Sequence, residues 1–105
     1  MTLVELKQLL DQTGYPVTYS HFKDSPPSVP YICYRFIDSS NFFADDTIYS
    51  EGINVDIELY TSKKDLTAEK IIKDLLLANN INFEQNEVYI NTEQLFLNTF
   101  EVELR

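Results

Sequence analysis

The sequence predicts an α+β domain in which two amphipathic helices pack on one face of an antiparallel sheet. The first observation is a strand pattern in residues 51–61, where apolar and polar side chains alternate. Because successive strand residues point to opposite faces, this strand has one apolar and one polar face. That pattern is typical of an antiparallel sheet covered on one side only. The second observation is a helical spacing of apolar residues before and after this strand, so the two helices are expected to cover it.

Length and composition favour one globular domain that spans residues 1–105. The chain is 44% hydrophobic and 13% aromatic, which is typical of a protein with a packed core. No apolar run approaches the roughly 20 residues of a membrane span, and we expect no signal peptide. Cys33 is the single cysteine. We therefore expect no internal disulfide and an intracellular site of assembly.

The first helix is predicted at the start of the chain. Thr2 and Glu5 match a T-x-x-E capping box. A narrow apolar stripe follows, formed by Leu3, Leu6, Leu9 and Leu10. Gly14 is placed to end this helix in a left-handed C-cap, and Pro16 prevents its continuation. The alternation of apolar residues over 15–19 then predicts a short edge strand.

The middle of the chain is predicted to hold two strands. The first spans residues 31–38, after three prolines that exclude a regular helix or a central strand from residues 25–30. The strand pattern breaks at Ser39-Ser40-Asn41, which is typical of a turn, and extended structure resumes at Asp45. Gly52 indicates a bulge before the central strand. The inward residues of the central strand are predicted to be Ile53, Val55, Ile57 and Leu59, packed against Leu6, Leu10, Ile72 and Leu76.

The second helix is predicted to follow Thr61, with Ser62 and Asp65 as its capping box. Its apolar face is formed by Leu66, Ile71, Ile72, Leu75 and Leu76. On the opposite face, Glu69 and Lys73 have the spacing of an i,i+4 ion pair. Three strands are then expected, at residues 81–83, 88–90 and 95–105.

No catalytic group emerges from the sequence, so we expect neither enzymatic activity nor a cofactor. His21 is the single histidine, and its neighbours lack ligand spacing, so we interpret it as a surface or loop residue. Cys33 lies within a strand and is interpreted as a small buried hydrophobic residue. Asp45 and Asp46 lack the glycine turn and spaced carboxylates of a calcium loop, so no metal is expected. With glycine only at positions 14 and 52, there is no glycine-rich phosphate loop.

Charge and aromatic residues in the middle of the chain indicate an interaction surface. The chain has 17 acidic and 8 basic residues, a net charge of −9, which argues against binding to a nucleic-acid backbone. No basic residue lies between Arg35 and Lys63. A solvated acidic face is the alternative explanation, but the same stretch carries several aromatic residues, which are typical anchors of an interface. The candidate interface residues are Phe42, Phe43, Asp45, Asp46 and Tyr49.

Several segments together resemble a known family. They are the first helix with its ending at residues 13–17, the strand at residues 29–34, the segment 41–46, the strand at 56–61 with the following Lys64-Asp65, and the closing strands. These segments resemble the small tail-completion or tail-terminator proteins of long-tailed phages and prophages of Gram-positive bacteria. The resemblance runs nearly end to end.

The resemblance implies an α+β fold and a structural role, in which a ring of six copies caps the finished tail tube and joins it to the head connector. The implied partners are other copies of the chain, the major tail tube protein and a head–tail connector protein. DNA would pass through the ring without specific binding, no membrane is involved, and the protein would reside in the virion after assembly in the host cytoplasm. Two alternatives stay open: another head–tail connector component, such as a stopper or adaptor, and a small acidic regulator that sequesters a basic partner.

Overall fold

The computed structural model describes residues 1–44 and 48–105, with side chains described for residues 1–39 and 52–105. Its elements are α1 (Leu3–Asp11), β1 (Val17–Tyr19), β2 (Tyr31–Ala44), β3 (Ile48–Thr61), α2 (Leu66–Ala78), β4 (Phe83–Ile90) and β5 (Leu95–Leu104). The strands form one five-stranded sheet in the order β1-β2-β3-β5-β4. The predicted α+β class is confirmed.

The sheet is mixed, so the prediction of a purely antiparallel sheet is wrong at one edge. β1 runs parallel to β2, with Val17 opposite Ile32 and Tyr19 opposite Tyr34, whereas the other pairs are antiparallel. Parallel neighbours need a connection that carries the chain back to the starting end. The proline-rich residues 20–30 make that return, and Ser20 begins it at a positive φ of 66°.

Both helices bury their apolar faces in the same core as the sheet. α1 contributes Leu6, Leu9 and Leu10, and α2 contributes Ala68, Ile72 and Leu76. Val55, Ile57 and Leu59 of β3 are buried in this cluster, with Ile53 half-buried at its margin. The predicted inward face of β3 is therefore confirmed.

The helix ends agree only in part with the predicted capping motifs. The capping box of α1 is present, with reciprocal hydrogen bonds between Thr2 and Glu5 at 3.0 and 3.1 Å. In α2, Asp65 is the N-cap and accepts a hydrogen bond from the backbone of Ala68 at 3.0 Å. The predicted pairing with Ser62 is wrong, because Asp65 caps the helix instead of lying inside it. Leu66 consequently lies in the first turn and is 69% exposed, outside the core.

β4 is one continuous strand, so the predicted interruption at Gln85 and Asn86 is wrong. Gln85 is opposite Phe100, and Asn86 is opposite Thr99. The neighbouring strand β5 thus provides backbone partners through the polar stretch, and tertiary pairing overrides the weak local strand propensity of these amides.

Candidate interaction surface

β2 and β3 form a hairpin that extends beyond the rest of the sheet. Their pairing runs from Tyr31 opposite Tyr60 to Ala44 opposite Ile48. β5 accompanies β3 only as far as Ile53, and β1 stops at Tyr34. Residues 40–44 and 48–52 are therefore paired only with each other within the described part of the chain. We call this segment the hairpin arm.

The arm gives each of its two strands an open backbone edge. At 14 residues and about 3.3 Å per residue, each strand extends about 46 Å, comparable with the 51 Å longest dimension of the molecule. A two-stranded ribbon has only marginal stability in water, and an open strand edge is a template for pairing with another chain. The arm is thus a surface suited to β-sheet pairing with a partner.

Some of the predicted interface residues fall on this arm. Phe42 pairs with Ser50, and Phe43 pairs with Tyr49. Asp45 and Asp46 lie outside the described residues. The structure therefore places three of the five predicted residues on the backbone of the arm.

The predicted turn at residues 39–41 and the predicted bulge at Gly52 are both wrong. Residues 39–41 belong to β2, because their backbone pairs with Ile53, Gly52 and Glu51. The irregularity in the ladder lies between Phe36 and Asp38, and Gly52 is in regular register with Ser40. Long-range pairing with β3 thus overrides the local turn preference of serine and asparagine.

The irregularity between Phe36 and Asp38 marks the base of the arm and exposes apolar surface there. Phe36 is 43% exposed and Ile37 is 44% exposed. Close to them, the Asn54 side chain donates a hydrogen bond to Asp38 Oδ1 at 2.6 Å. A bulge of this kind bends a strand and increases its twist, so the base of the arm combines a change of strand direction with exposed aromatic and aliphatic groups.

The sheet face opposite the helices carries a row of charged residues. Arg35, Asp56, Glu101 and Glu84 lie opposite one another across β2, β3, β5 and β4. The Arg35 guanidinium lies 3.7 Å from Asp56 and 3.4 Å from Glu58. Beyond it the row is entirely acidic, although like charges in directly opposite positions destabilise a sheet. This acidic face also surrounds a concavity of about 540 Å³ whose lining includes Asp38 and Glu103.

Part of the predicted polar face of β3 is covered. Glu58 is buried, and burial raises the pKa of its carboxyl, while Arg35 and a hydrogen bond from Tyr60 oppose the rise. Tyr60 stacks on Tyr31 with ring centroids 4.9 Å apart, and Phe22 meets Tyr31 edge-on at 5.4 Å. The alternation in β3 gives no indication of this cover, because Phe22 belongs to an irregular segment.

A polar cluster, which we call the polar clamp, joins the start of α2 to β4 and β5. Lys64 Nζ lies 2.8 Å from Glu69 Oε2 and 2.9 Å from Glu87 Oε1. Gln85 donates hydrogen bonds to Glu69 at 2.8 Å and Asn98 at 2.9 Å, and Asn98 donates to Glu87 at 3.0 Å. Hydrogen bonds to Glu69 and Glu87 raise the pKa of Lys64, and hydrogen bonds from Lys64 and Asn98 lower the pKa of Glu87. In the polar clamp one ammonium is therefore shared by two carboxylates that also accept hydrogen bonds from amides, as expected of a structural cluster.

The ion pair predicted between Glu69 and Lys73 is wrong. Glu69 is only 2% exposed, because it faces the sheet. The exposed ion pair of this helix is Lys70–Asp74, at 2.6 Å with side chains 73% and 60% exposed. No local pattern in the sequence indicates that a glutamate occupies the inner face of this amphipathic helix.

The two isolated reactive residues lie where the sequence predicted. His21 is exposed, with Nδ1 3.1 Å from Ser20 Oγ. Cys33 is buried, and burial raises the pKa of its thiol to about 11, so it is a neutral thiol at physiological pH. Within residues 1–44 and 48–105, no three His, Cys, Asp or Glu side chains form a group that could hold a metal ion.

In comparisons with known proteins, no protein-family model matches the chain, and no curated protein has a matching sequence. Neither α1 nor α2 has the length and hydropathy of a helix that crosses a membrane. The fold and its surfaces define an α+β protein with a mixed sheet, a projecting hairpin arm and an acidic open face.

Proposed function

We propose that this protein acts by assembly, as a tail terminator of a long-tailed phage or prophage. In this role a ring of its copies occupies the end of the finished tail tube and presents a different upper face to the head connector. The ring thereby stops tube growth and prepares the joint with the head. The resemblance of the sequence to tail-completion proteins supports this proposal, and the role requires no catalytic group.

The observation that carries the proposal is the hairpin arm. Residues 40–44 and 48–52 extend past β5 and pair only with each other within the described chain. The backbone of this arm carries two adjacent aromatic residues, Phe42 and Phe43, and aromatic residues are typical anchors of an interface. Contact with a neighbouring copy would bury the aromatic rings and give the open strand edges a partner.

An arm of this kind also explains how assembly is confined to the tube end. A two-stranded ribbon is marginally stable by itself, so docking the arm requires contacts that offset the entropy lost when it is ordered. A tube end that aligns the first copies raises their effective concentration and provides such contacts. Ring formation is then slow in free solution and fast on the template.

The acidic face is assigned to the lumen of the ring in this proposal. Asp56, Glu84 and Glu101 lie in one row across the sheet, with Arg35 at its end. Like charge repels the phosphates of passing DNA and prevents it from adhering to the wall. Carboxylates placed opposite one another destabilise the sheet. In this proposal, the role of the acidic face in the lumen explains why the row is acidic.

The acidic face also favours the second candidate function, a regulator that sequesters a basic protein. A stopper or adaptor of the head–tail connector is a closer variant of the leading proposal. The regulator needs no self-association, so the oligomeric state separates it from the two assembly functions. A stopper or adaptor is distinguished from a terminator by binding to the head connector in the absence of the tail tube.

Electron microscopy of the purified protein over a range of concentrations tests the proposal. At high concentration mass action replaces the template, and rings with a central opening are expected. Light scattering on the same samples should show a mass that is a multiple of the 12.3 kDa chain. A protein that stays monomeric at the highest concentration and forms no rings would contradict the assembly function.

A further inference from the structure

The inference concerns a pocket on the sheet face opposite the helices, at some distance in sequence from the hairpin arm. The pocket has a volume of about 200 Å³ and lies between β2, β3 and the segment that follows β1. Three aromatic rings line it: Phe22, Tyr31 and Tyr60. The Phe22 and Tyr31 rings are perpendicular, with centroids 5.4 Å apart, whereas Tyr31 and Tyr60 are stacked at 4.9 Å. Phe22 and Tyr31 therefore form an aromatic corner.

The described residues that line this pocket include one carboxylate, on Glu93, and one imidazole, on His21. Burial, Cys33 and Glu93 each raise the pKa of the Tyr31 hydroxyl. Behind the rings, the Tyr60 hydroxyl donates a hydrogen bond to Glu58 at 3.2 Å. No lysine or arginine is among the described residues that line the pocket, and Arg35 is directed to Asp56 and Glu58.

Aromatic faces next to a carboxylate form a site that attracts a cation. The face of an aromatic ring carries negative electrostatic potential, which attracts an ammonium group. Glu93 adds a full negative charge at the same site. The volume of about 200 Å³ is smaller than the roughly 300–1,000 Å³ of pockets for drug-sized ligands, so the pocket matches a single side chain.

We propose that this pocket receives one lysine side chain from a partner protein. The alkyl stem would lie against Phe22 and Pro26, with the ammonium over the aromatic corner and next to Glu93. Lysine suits the site better than arginine, because its ammonium is compact and its stem flexible. The stacked pair Tyr31–Tyr60 leaves no slot between its rings for a planar guanidinium. The net charge of −9 favours approach of a basic partner.

The proposal does not depend on ring formation, and its test is a binding measurement on the full chain. Nα-acetyl-lysine methylamide is titrated into the protein while the NMR signals of the rings of Phe22, Tyr31 and Tyr60 are followed. Nα-acetyl-norleucine methylamide serves as the matched neutral probe, since it keeps the stem and lacks the ammonium. Saturable shifts are expected for the lysine compound, with binding about fivefold or more tighter than for the norleucine compound.

Two variants, each of which removes one negative charge, complete the experiment. Glu93→Gln removes the carboxylate at the pocket, whereas Glu84→Gln removes an exposed carboxylate of β4 that does not line it. We expect Glu93→Gln to weaken binding of the lysine compound about threefold or more, as loss of a nearby charge predicts, with no change for Glu84→Gln. Equal binding of the two probes, an absence of saturable shifts, or equal effects of the two variants would overturn the proposal.

Discussion

Ile57 lies at the centre of the core and is fully buried between α1, α2 and the neighbouring strands. Truncation of Ile57 to alanine removes apolar contacts and leaves a cavity, so we expect a loss of about 2–5 kcal/mol in the free energy of unfolding. Urea denaturation measures this loss. Val4→Ala is the matched control, because Val4 is 68% exposed and its truncation should change stability by less than about 0.5 kcal/mol. Similar small losses for the two variants would mean that the assignment of the sheet faces is wrong.

Cys33 provides a second prediction at the scale of single residues. The thiolate is the reactive form, and burial raises the pKa of this thiol from about 9 to about 11. Labelling by a thiol reagent at pH 8 should therefore be slow in the folded protein and fast in urea. Because the folded state retains the proton longer, the contribution of Cys33 to stability is present below pH 9 and lost as the pH rises towards 11. Fast labelling of the folded protein would show that Cys33 is accessible.

Single positions show how far the sequence predicts this structure. Period-two alternation identifies the inward side of β3 correctly, because Val55, Ile57 and Leu59 are all apolar. The same rule assigns Glu58 to solvent, whereas this residue is buried and has the Arg35 guanidinium and the Tyr60 hydroxyl as partners. Burial of a charged residue depends on partners that are distant in sequence, such as Arg35 for Glu58. Alternation along one strand carries no information about such partners.

The polar clamp between α2 and β4 gives a prediction at the scale of secondary-structure elements. Lys64→Ala would leave the buried Glu69 carboxylate without its ammonium partner. We expect a loss of about 1–3 kcal/mol, the typical cost of a buried polar group without a partner. Lys70→Ala is the control, because the Lys70–Asp74 pair is exposed and such pairs contribute about 0–1 kcal/mol. Urea denaturation at pH 7 compares the two variants, and equal losses would contradict a structural role for the clamp.

The pH dependence of the same comparison tests the electrostatic origin of the effect. The pKa of Glu87 is lowered from 4.5 in the fold, so its contribution is present above pH 4.5 and lost as the pH falls through the lowered value. The pKa of Lys64 is raised from 10.5, so its contribution is present below pH 10.5 and lost above it. The stability difference between wild type and Lys64→Ala should therefore be constant between these limits and decrease in acid. The pKa of Glu58 is raised by burial. Because Glu58 is present in both proteins, its effect on stability cancels in the difference. A difference that does not decrease in acid would contradict this account.

At the element scale, the sequence predicts both helices and most strands but not how the sheet edges pair. Helix α1 is found because its capping box and apolar stripe are local signals. The parallel pairing of β1 depends on the path of residues 20–30, which no local pattern specifies. The continuity of β4 depends on backbone partners from β5 at Gln85 and Asn86. Local sequence patterns therefore do not predict which distant segments pair in the sheet.

At the scale of the whole molecule, the hairpin arm links the fold to the proposed function. Residues 39–50 combine turn-forming and aromatic residues. The sequence predicts a break in the strand at residues 39–41, whereas the structure has paired strands that continue to Ala44 and resume at Ile48. Pairing with β3 thus overrides the local turn preference, and the interface role of the aromatic residues stays a prediction.

The central claim is that the arm serves contacts between copies and contributes little to the stability of one chain. The most direct test replaces Phe42 and Phe43 together with serine and compares oligomeric mass and thermal midpoint with the wild type. Val4→Ser with Leu66→Ser is the matched control, because both residues are exposed helix positions remote in sequence from the arm.

Analytical ultracentrifugation at a concentration where the wild type forms rings measures the mass, and calorimetry in dilute solution measures the midpoint. The arm variant should remain a monomer with a midpoint within about 1 °C of the wild type, since a ribbon outside the core contributes little to its stability. The control variant should still form rings. An arm variant that unfolds several degrees lower but still assembles would show that Phe42 and Phe43 belong to the core, and would contradict the account.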